Sequence, residues 1–176
     1  MTPRVTIRPA KRGDRSALLF FHRALYLDHR RAISEPEMLV FTEYRDMDTA
    51  LQDDVDALLS NPASVVLIAH ADGVPVGYIT GHVETDERRA LPRRGVVEDW
   101  FVDPELRRHG TGRQLLEKLV EEFRVRGCQV VESMTWTANA VGRAAHDSLG
   151  FRELQVRYRM RIDAGAGTSP SGRTQG

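Results

Sequence analysis

Arg107-Arg108-His109-Gly110-Thr111-Gly112 is the stretch that decides the fold, because it joins a hydrophobic, strand-like run to an amphipathic helical pattern. The two glycines let a ligand approach the backbone closely and leave the amides unobstructed. A helix that begins here presents free N–H groups and the positive end of its dipole to an anion. The arginines of the stretch, and Arg113 just beyond it, add cationic donors. We predict a turn that binds a pyrophosphate.

Two familiar phosphate-binding patterns do not match this stretch. The Walker pattern ends in Gly-Lys-Ser or Gly-Lys-Thr, and no lysine is present here. The dinucleotide pattern needs a third glycine three residues after Gly112, where this chain has Leu115. One alternative stays open, namely a solvated, arginine-rich turn that caps an ordinary helix.

Overall charge and cysteine content exclude several classes of function. The chain has 176 residues, 25 of them basic and 25 acidic, so its formal net charge is zero. We therefore expect no general attraction to nucleic acid or to an anionic membrane. Cys128 is the only cysteine, which excludes an intramolecular disulfide and a Cys-rich zinc site, and we expect no metal. The polar amino terminus carries no apolar stretch suited to a signal peptide, which favours a cytoplasmic protein.

Hydrophobic periodicity predicts a single α/β domain over residues 1–162, built on a mixed sheet. Apolar runs and alternating patterns predict strands at 5–8, 64–70, 74–84, 95–102 and 129–135. Helical spacing predicts helices at 14–28, 48–60, 111–126 and 139–149. The alternation in 151–162 predicts a strand pair or one long bent strand, and the Gly-, Ser- and Pro-rich residues 163–176 predict a disordered tail.

Single residues mark ends and irregularities within these elements. Asp72-Gly73 predicts a hairpin turn, so the sheet cannot be entirely parallel. Asp14 is predicted to cap the first helix, and Gly150 to end the last helix in the left-handed conformation. Gly77 and Gly81 indicate β-bulges in the third strand.

The region around the turn resembles the GCN5-related N-acetyltransferase superfamily. Its signature is Arg or Gln, two residues, Gly, one residue, then Gly or Ala, which matches Arg107, Gly110 and Gly112. The likeness spans residues 4–162 and includes Val97-Glu98-Asp99-Trp100-Phe101-Val102-Asp103-Pro104-Glu105-Leu106, Asn139 and Leu149-Gly150-Phe151. The resemblance implies a central, mostly antiparallel sheet with a splayed parallel pair, flanked by about four helices.

The resemblance also implies acetyl-CoA as the co-substrate. Amides of the turn would hold its pyrophosphate, and the end of the preceding strand would pair with pantetheine and hold the thioester carbonyl. That second contact is an oxyanion hole, because negative charge develops on the carbonyl oxygen during attack. The implied cofactor-binding residues are Phe101, Val102, Arg107, Arg108, His109, Gly110, Thr111, Gly112, Arg113 and Asn139.

Glu98 is the candidate general base. Direct acetyl transfer needs a neutral amine, and amines are mostly protonated at neutral pH, so a base must remove a proton. Glu98 lies in the middle of an otherwise apolar strand and matches a base position in several resembling enzymes. Since successive strand residues alternate, Asp99 is expected on the opposite face, with one of the two facing the cofactor cleft. The alternative is that both carboxylates only form pairs at the sheet surface.

His146 is the candidate general acid. Resembling enzymes usually protonate the departing thiolate with a tyrosine, and this chain has His146 at the matching position. Histidine can donate a proton near neutral pH, so the chemistry is retained in principle. Alternatively, His146 only lines the cleft and water protonates the thiolate. Tyr158 is a more distant candidate acid, and its place in the pattern is more typical of a strand residue.

A cationic amine is the expected acceptor. Residues 28–56 contain nine acidic residues against three arginines, and an acidic rim would attract polyamines, aminoglycosides or amino termini. The alternative is a solvated helix face, which fits Asp53, Asp54 and Asp56. A weaker resemblance to aminoglycoside N-acetyltransferases rests on His146, the Leu-Gly-Phe ending, and a partial match at Glu153, Val156 and Tyr158.

Three functions follow from these expectations. The leading one is transfer of the acetyl group of acetyl-CoA to a primary amine of a small cationic acceptor, such as a polyamine, an aminoglycoside or an amino-acid-like amine, by direct attack. The second is acetylation of a protein amino terminus or lysine. The third is a non-catalytic acyl-CoA sensor, which only the missing tyrosine supports. A homodimer is compatible with the resemblance, since dimers are common among resembling proteins.

Overall fold

A five-stranded sheet forms the centre of the structure, a computed structural model that describes residues 4–33 and 35–162. Its strand order is β1-β2-β3-β4-β5, and only β4 and β5 are parallel. The strands are β1 Val5–Pro9, β2 Val65–Ala71, β3 Val74–Thr85, β4 Arg93–Val102 and β5 Val130–Ser133. The predicted mixed, mostly antiparallel sheet is confirmed. The predicted disordered tail at 163–176 lies outside the described residues.

In the described part of the chain, five α-helices flank the sheet. They are α1 Arg15–Ala32, α2 Pro36–Leu39, α3 Met47–Ser60, α4 Thr111–Val125 and α5 Ala140–Ser148. Helix α3 begins where the Asp46 carboxylate accepts a hydrogen bond from the Thr49 amide at 3.1 Å, which satisfies one free N–H of its first turn. The sequence did not predict α2, and α1 extends past the predicted end at residue 28. Within the two described ranges, no helix is long and apolar enough to cross a membrane.

Two hydrophobic cores lie on opposite faces of the sheet. The first core packs α4 against the sheet. Phe123 of α4 belongs to this core, and its ring lies directly on the backbone of two strands. A Cβ added at Gly95 would lie 2.2 Å from this ring, and one at Gly81 would lie 2.7 Å from it. Only glycine fits at these two positions. The second core packs α1 and α3 against the other face, around Phe21 and Tyr78.

Asp14 does not cap α1 with its side chain, so that prediction is wrong. Its carboxylate instead accepts hydrogen bonds from the Arg8 guanidinium at 2.7 and 2.8 Å and from the Lys11 amide at 2.7 Å. The bonds from Arg8, opposed by partial burial, lower the pKa of Asp14 to about 2. This ion pair fixes the chain between β1 and α1. At the other end of the domain, Gly150 has a φ of 88°, as predicted for a helix end.

Residues 151–162 form neither a helix nor a strand, so the prediction of strands there is wrong. A strand needs a hydrogen-bonded neighbour, and alternation alone does not supply one. The apolar side chains of this alternation are exposed instead of packed; they are Leu154, Val156, Tyr158, Met160 and Ile162. Arg159 is one point of attachment, since its guanidinium donates to the Phe41 carbonyl at 2.8 Å.

Candidate active site

A β-bulge in β4 is the central feature of the site. Ile79 of β3 pairs with Trp100, whereas Gly81 pairs with Val97, so Glu98 and Asp99 together oppose the single residue Thr80. Such a bulge changes the phase of side-chain alternation along the strand. Val97 and Val102 are five residues apart, yet both pack in the first core. The register shifts next to Gly81, as predicted, but the prediction put the bulge on the third strand and the extra residue lies on β4.

Glu98 and Asp99 lie on the same face of the sheet, so the expectation that they point to opposite faces is wrong. Glu98 contacts His82, and Asp99 contacts Thr80. His82 and Thr80 are two residues apart on β3 and therefore share a face. The bulge is the physical reason, because it removes one step of alternation between the two carboxylates.

Glu98 is partly exposed and belongs to a chain of charges on this face. Its carboxylate lies 3.3 Å from Nδ1 of His82, and Nε2 of the same ring lies 3.1 Å from Glu84. Burial lowers the pKa of His82, but hydrogen bonds and charge from Glu84 and Glu98 outweigh burial and raise it. Glu84 is also paired with Arg94. A proton that reaches Glu98 therefore has a basic neighbour within contact distance.

Asp99 belongs to a second polar cluster that sequence reasoning missed. His22 of α1 lies between two carboxylates, with Nδ1 3.5 Å from Asp99 and Nε2 3.4 Å from Asp54. Nδ1 also lies 2.9 Å from the Tyr78 hydroxyl. Burial lowers the pKa of His22, but Asp99 and then Asp54 outweigh it, so the net pKa is raised. The sequence signals for this cluster were Asp99 itself and a histidine among the apolar residues of α1.

Strands β4 and β5 separate at the same place as the bulge. Their parallel pairing runs from Arg94 with Val130 to Val97 with Ser133, and it ends there. Among the described residues, the last residues of β4, from Trp100 to Val102, pair with β3 alone. Backbone groups on the other edge of this segment therefore face the gap between the two strands. The predicted cofactor-binding residues Phe101 and Val102 lie on this segment, and their side chains are buried in the two cores.

The predicted phosphate-binding turn has the backbone of an anion site. Arg108 and Gly110 both adopt positive φ angles, 66° and 84°, which turn the chain sharply before α4. The first intrahelical bond of α4 runs from the Gln114 amide to the Gly110 carbonyl at 3.0 Å. The amides of Thr111, Gly112 and Arg113 precede that bond, so they have no intrahelical partner. This geometry fits a pyrophosphate at the positive end of the helix dipole.

The side chains of the turn differ in their roles. Arg107 points away from the turn: its Nε donates to the Val102 carbonyl and its Nη2 to Asp28 of α1, both at 2.8 Å. Thr111 is buried beneath the helix terminus. Arg108, His109 and Arg113 are exposed and can reach a ligand. Arg107 therefore fixes the end of β4 against α1, whereas Arg113 donates to the Ser148 carbonyl at 3.4 Å.

Gly112 marks where the turn meets the wall of the gap. A Cβ added there would lie 3.5 Å from the Trp100 ring, an ordinary contact. The Trp100 ring also contacts the ring of His146 in an edge-on arrangement, with ring centres 5.8 Å apart. Trp100 thus connects the turn to the candidate acid.

His146 uses both ring nitrogens within the protein. Nδ1 lies 2.6 Å from the Gly142 carbonyl, and Nε2 lies 2.8 Å from the Ser133 hydroxyl. Because a carbonyl can only accept, Nδ1 carries a hydrogen. Nε2 then accepts from Ser133 in the neutral ring and donates to it in the imidazolium. Ser133 is the last residue of β5 that pairs with β4, so its hydroxyl links the His146 ring to the point where the two strands separate.

Asn139 caps α5. Its Oδ1 accepts from the Gly142 amide at 2.9 Å, and its Nδ2 donates to the Thr135 hydroxyl at 3.2 Å. These bonds tie the helix start to the chain that leaves β5. The side chain has one remaining hydrogen on Nδ2 and one lone pair on Oδ1 with which to contact a ligand.

A turn built for an anion and a pair of carboxylates beside it suit transfer of a group from an anionic carrier to a protonated nucleophile. Residues 26–151 match the Acetyltransferase (GNAT) family, and the chain belongs to it. It is an acyltransferase of the N-acetyltransferase class. The predicted family resemblance is confirmed.

Relatives agree with this assignment. The chain is 29% identical over 125 residues to aminoglycoside N(6')-acetyltransferase type 1 of Stenotrophomonas maltophilia, covering 69% of this chain and 82% of the relative. Over 56 residues it is 41% identical to the ribosomal protein bS18-alanine N-acetyltransferase of Salmonella typhimurium, covering 32% and 38%.

Solved structures share the fold. The aminoglycoside N-acetyltransferase AAC(6')-Iy in complex with CoA superposes with a TM-score of 0.72 at 22% identity, covering 92% of this chain and 98% of that one. An acetyltransferase from Clostridium acetobutylicum with acetyl-CoA gives 0.69 at 18% identity, covering 90% and 96%.

Proposed function

We propose that the chain transfers the acetyl group of acetyl-CoA to a primary amine of a small cationic acceptor. The observation that carries this proposal is the bulge of β4, which places Glu98 and Asp99 on one face beside the gap between β4 and β5. The amides at the start of α4 lie at the end of the same strand. One strand thus links the place for an anionic carrier to the place for a cationic nucleophile.

The proposed reaction is direct attack. Glu98 takes a proton from the ammonium, and the free nitrogen forms a bond with the thioester carbonyl carbon. Backbone groups near Phe101 and Val102 stabilise the charge on the carbonyl oxygen. The carbon–sulfur bond then breaks, and the thiolate receives a proton from Nε2 of His146 or through the Ser133 hydroxyl. His82, beside Glu98, is placed to accept the proton that Glu98 holds.

The acceptor is proposed to be cationic because of local charge at the bulge. Much of the acidic count in residues 28–56 is already neutralised by ion pairs, which involve Asp28, Glu43, Asp48, Asp54 and Asp56. Steering by a broad acidic rim is therefore weaker than the sequence count indicates. Glu98, with 41% of its side chain exposed, is the carboxylate placed to meet the amine. The aminoglycoside acetyltransferase relative supports a small, polycationic acceptor.

A protein amino terminus is the second candidate acceptor. The relative that acetylates the alanine of a ribosomal protein is 41% identical over its 56 matched residues, a higher identity over a shorter stretch. Both candidates use the same turn and the same carboxylates. The peptide acceptor would offer one amine, whereas the small-molecule acceptor would offer several.

The deciding experiment follows thiol release from acetyl-CoA with a panel of aminoglycosides, polyamines, amino acids and peptides with free amino termini. We expect release with a polycationic small molecule and its loss in Glu98→Gln. Release only with peptides would transfer the proposal to the second candidate. Tight acetyl-CoA binding without release from any amine would instead support the acyl-CoA sensor.

We also propose a homodimer. Leu154, Tyr158, Met160 and Ile162 are each more than 80% exposed, and such a row of apolar side chains is unusual on a monomer. Light scattering on the purified protein should give twice the mass of one chain. A mass of one chain at micromolar concentration would refute the dimer. A cytoplasmic location and the expected lack of nucleic-acid binding stay predictions.

A further inference from the structure

Thr80 lies opposite the two extra residues of the bulge. Its side chain is fully buried. Oγ1 accepts a hydrogen bond from the Asp99 amide at 3.1 Å and donates one to the Asp99 carboxylate at 3.4 Å. A single hydroxyl on β3 thus engages both the backbone and the side chain of one bulge residue.

These two hydrogen bonds compensate for the regular backbone pairing that the bulge removes. Where two residues oppose one, the regular ladder cannot pair every amide, and a buried amide without a partner is costly. The Thr80 hydroxyl supplies the acceptor for Asp99 at this position. A valine of nearly the same shape would fill the space but leave the amide unpaired. A regular register, with Asp99 turned to the other face, would then compete with the bulge.

We propose that Thr80 is a positioning residue for acetyl transfer: its buried hydroxyl maintains the bulge that places Glu98 and Asp99 on one face. The separation of β4 from β5 begins at the same point, after Val97 and Ser133. Thr80 therefore holds in place both the carboxylates and the strand edge that faces the gap. It touches neither substrate, being fully buried. This inference rests on the proposed function for its kinetic consequence only.

The test compares Thr80→Val, which removes the hydroxyl, with Thr80→Ser, which keeps it and removes a methyl group. Val55→Ala in the second core is the matched control for lost packing, since Val55 is buried on α3 away from the bulge. Steady-state kinetics are measured for all three variants. Amide exchange of Asp99 is followed by NMR in the protein without substrates, so this arm does not depend on activity.

We expect Thr80→Val to lower kcat about tenfold, the size of effect that a small displacement of a catalytic group produces. KM for acetyl-CoA should change less than kcat, because the turn that would hold the pyrophosphate is a separate element. Thr80→Ser should restore kcat, and Val55→Ala should keep it. Exchange of the Asp99 amide should accelerate in Thr80→Val alone.

Unchanged exchange and kcat in Thr80→Val would overturn the inference, as would an equal loss in Thr80→Ser. If the wild-type protein acetylates no amine, the proposed function fails. The exchange measurement then still decides whether the hydroxyl maintains the bulge, so the two failures are distinguishable.

Discussion

The two glycines of the turn allow one substitution to be compared at two positions. Gly110 has a φ of 84°, which L-residues rarely adopt, whereas Gly112 lies inside α4 with room for a methyl group 3.5 Å from Trp100. Alanine at each position adds the same atoms. The structure predicts opposite results, because only Gly110 depends on the freedom of glycine.

The expected magnitude at Gly110 follows from its backbone. A left-handed conformation costs an alanine roughly 1–2 kcal/mol. Gly110 is exposed and precedes the helix, so the free protein can relax to another conformation and recover most of that cost. Binding of CoA requires the native turn, so the cost appears in affinity, and we expect Kd to rise about tenfold. Gly112→Ala should leave Kd unchanged and, by helix propensity, add up to about 1 kcal/mol of stability.

Isothermal titration with CoA measures Kd, and urea unfolding measures stability in the same variants. Gly110→Asp extends the series, since its added negative charge should weaken CoA binding further than alanine does. The reasoning would be refuted if Gly110→Ala bound CoA like the wild type, or if Gly112→Ala lost as much affinity. Normal CoA binding in Gly110→Ala would mean that the pyrophosphate does not lie on the amides at the start of α4, whereas an equal loss in Gly112→Ala would mean that a methyl group there obstructs those amides.

Three further predictions test the acid, the packing and the pH dependence. His146→Phe should lower kcat and change its pH profile, because it removes the group that would protonate the thiolate; an unchanged profile would show that water does so. Gly95→Ala should destabilise the protein by about 2 kcal/mol or more in urea unfolding, and adding Phe123→Leu should recover part of that loss, whereas simple additivity would contradict the 2.2 Å contact. The pKa of Asp14, about 2, lies below its usual 3.8, so the carboxylate stabilises the fold above pH 4 and loses that contribution as pH falls toward 2. We expect about 1–2 kcal/mol, allowing for the partly exposed Arg8, and Asp14→Asn should remove this acid dependence; an equal acid-induced loss in the variant would contradict the assignment.

Local signals predicted the elements that depend on local chemistry. Helix α4 was predicted to within a residue, because its apolar stripe and the preceding glycines act within a few turns of chain. The alternation in residues 151–162 led to a wrong prediction of strands. Strand formation depends on a hydrogen-bonded partner, and the alternation does not show where that partner lies. Helix α2 is only four residues long, too short to show a periodicity.

The candidate site also combines features that depend on local sequence with features that depend on residues far apart in the chain. Local sequence predicted the turn before α4, but it put Glu98 and Asp99 on opposite faces, which is wrong, since simple alternation does not include a bulge. The bulge depends on Thr80, nineteen residues away along the chain, and on a hydroxyl whose partner only the fold identifies. His22 was missed for a related reason: its carboxylate partners come from α3 and β4, which the sequence separates widely.

Strand β4 couples the two halves of the site while allowing them to vary separately. Phe101 packs in the second core with α1, and Val102 packs in the first core with the sheet and α4. Changes to His22 of α1 or to Asp54 of α3 therefore act first on the Asp99 carboxylate of the bulge. The turn is anchored by α4, on the other face of the sheet. In a family with this arrangement, substitutions on one face of the sheet can change the acceptor, while the residues on the other face keep the same acyl carrier. This explains why local sequence was sufficient to infer the carrier but not the acceptor.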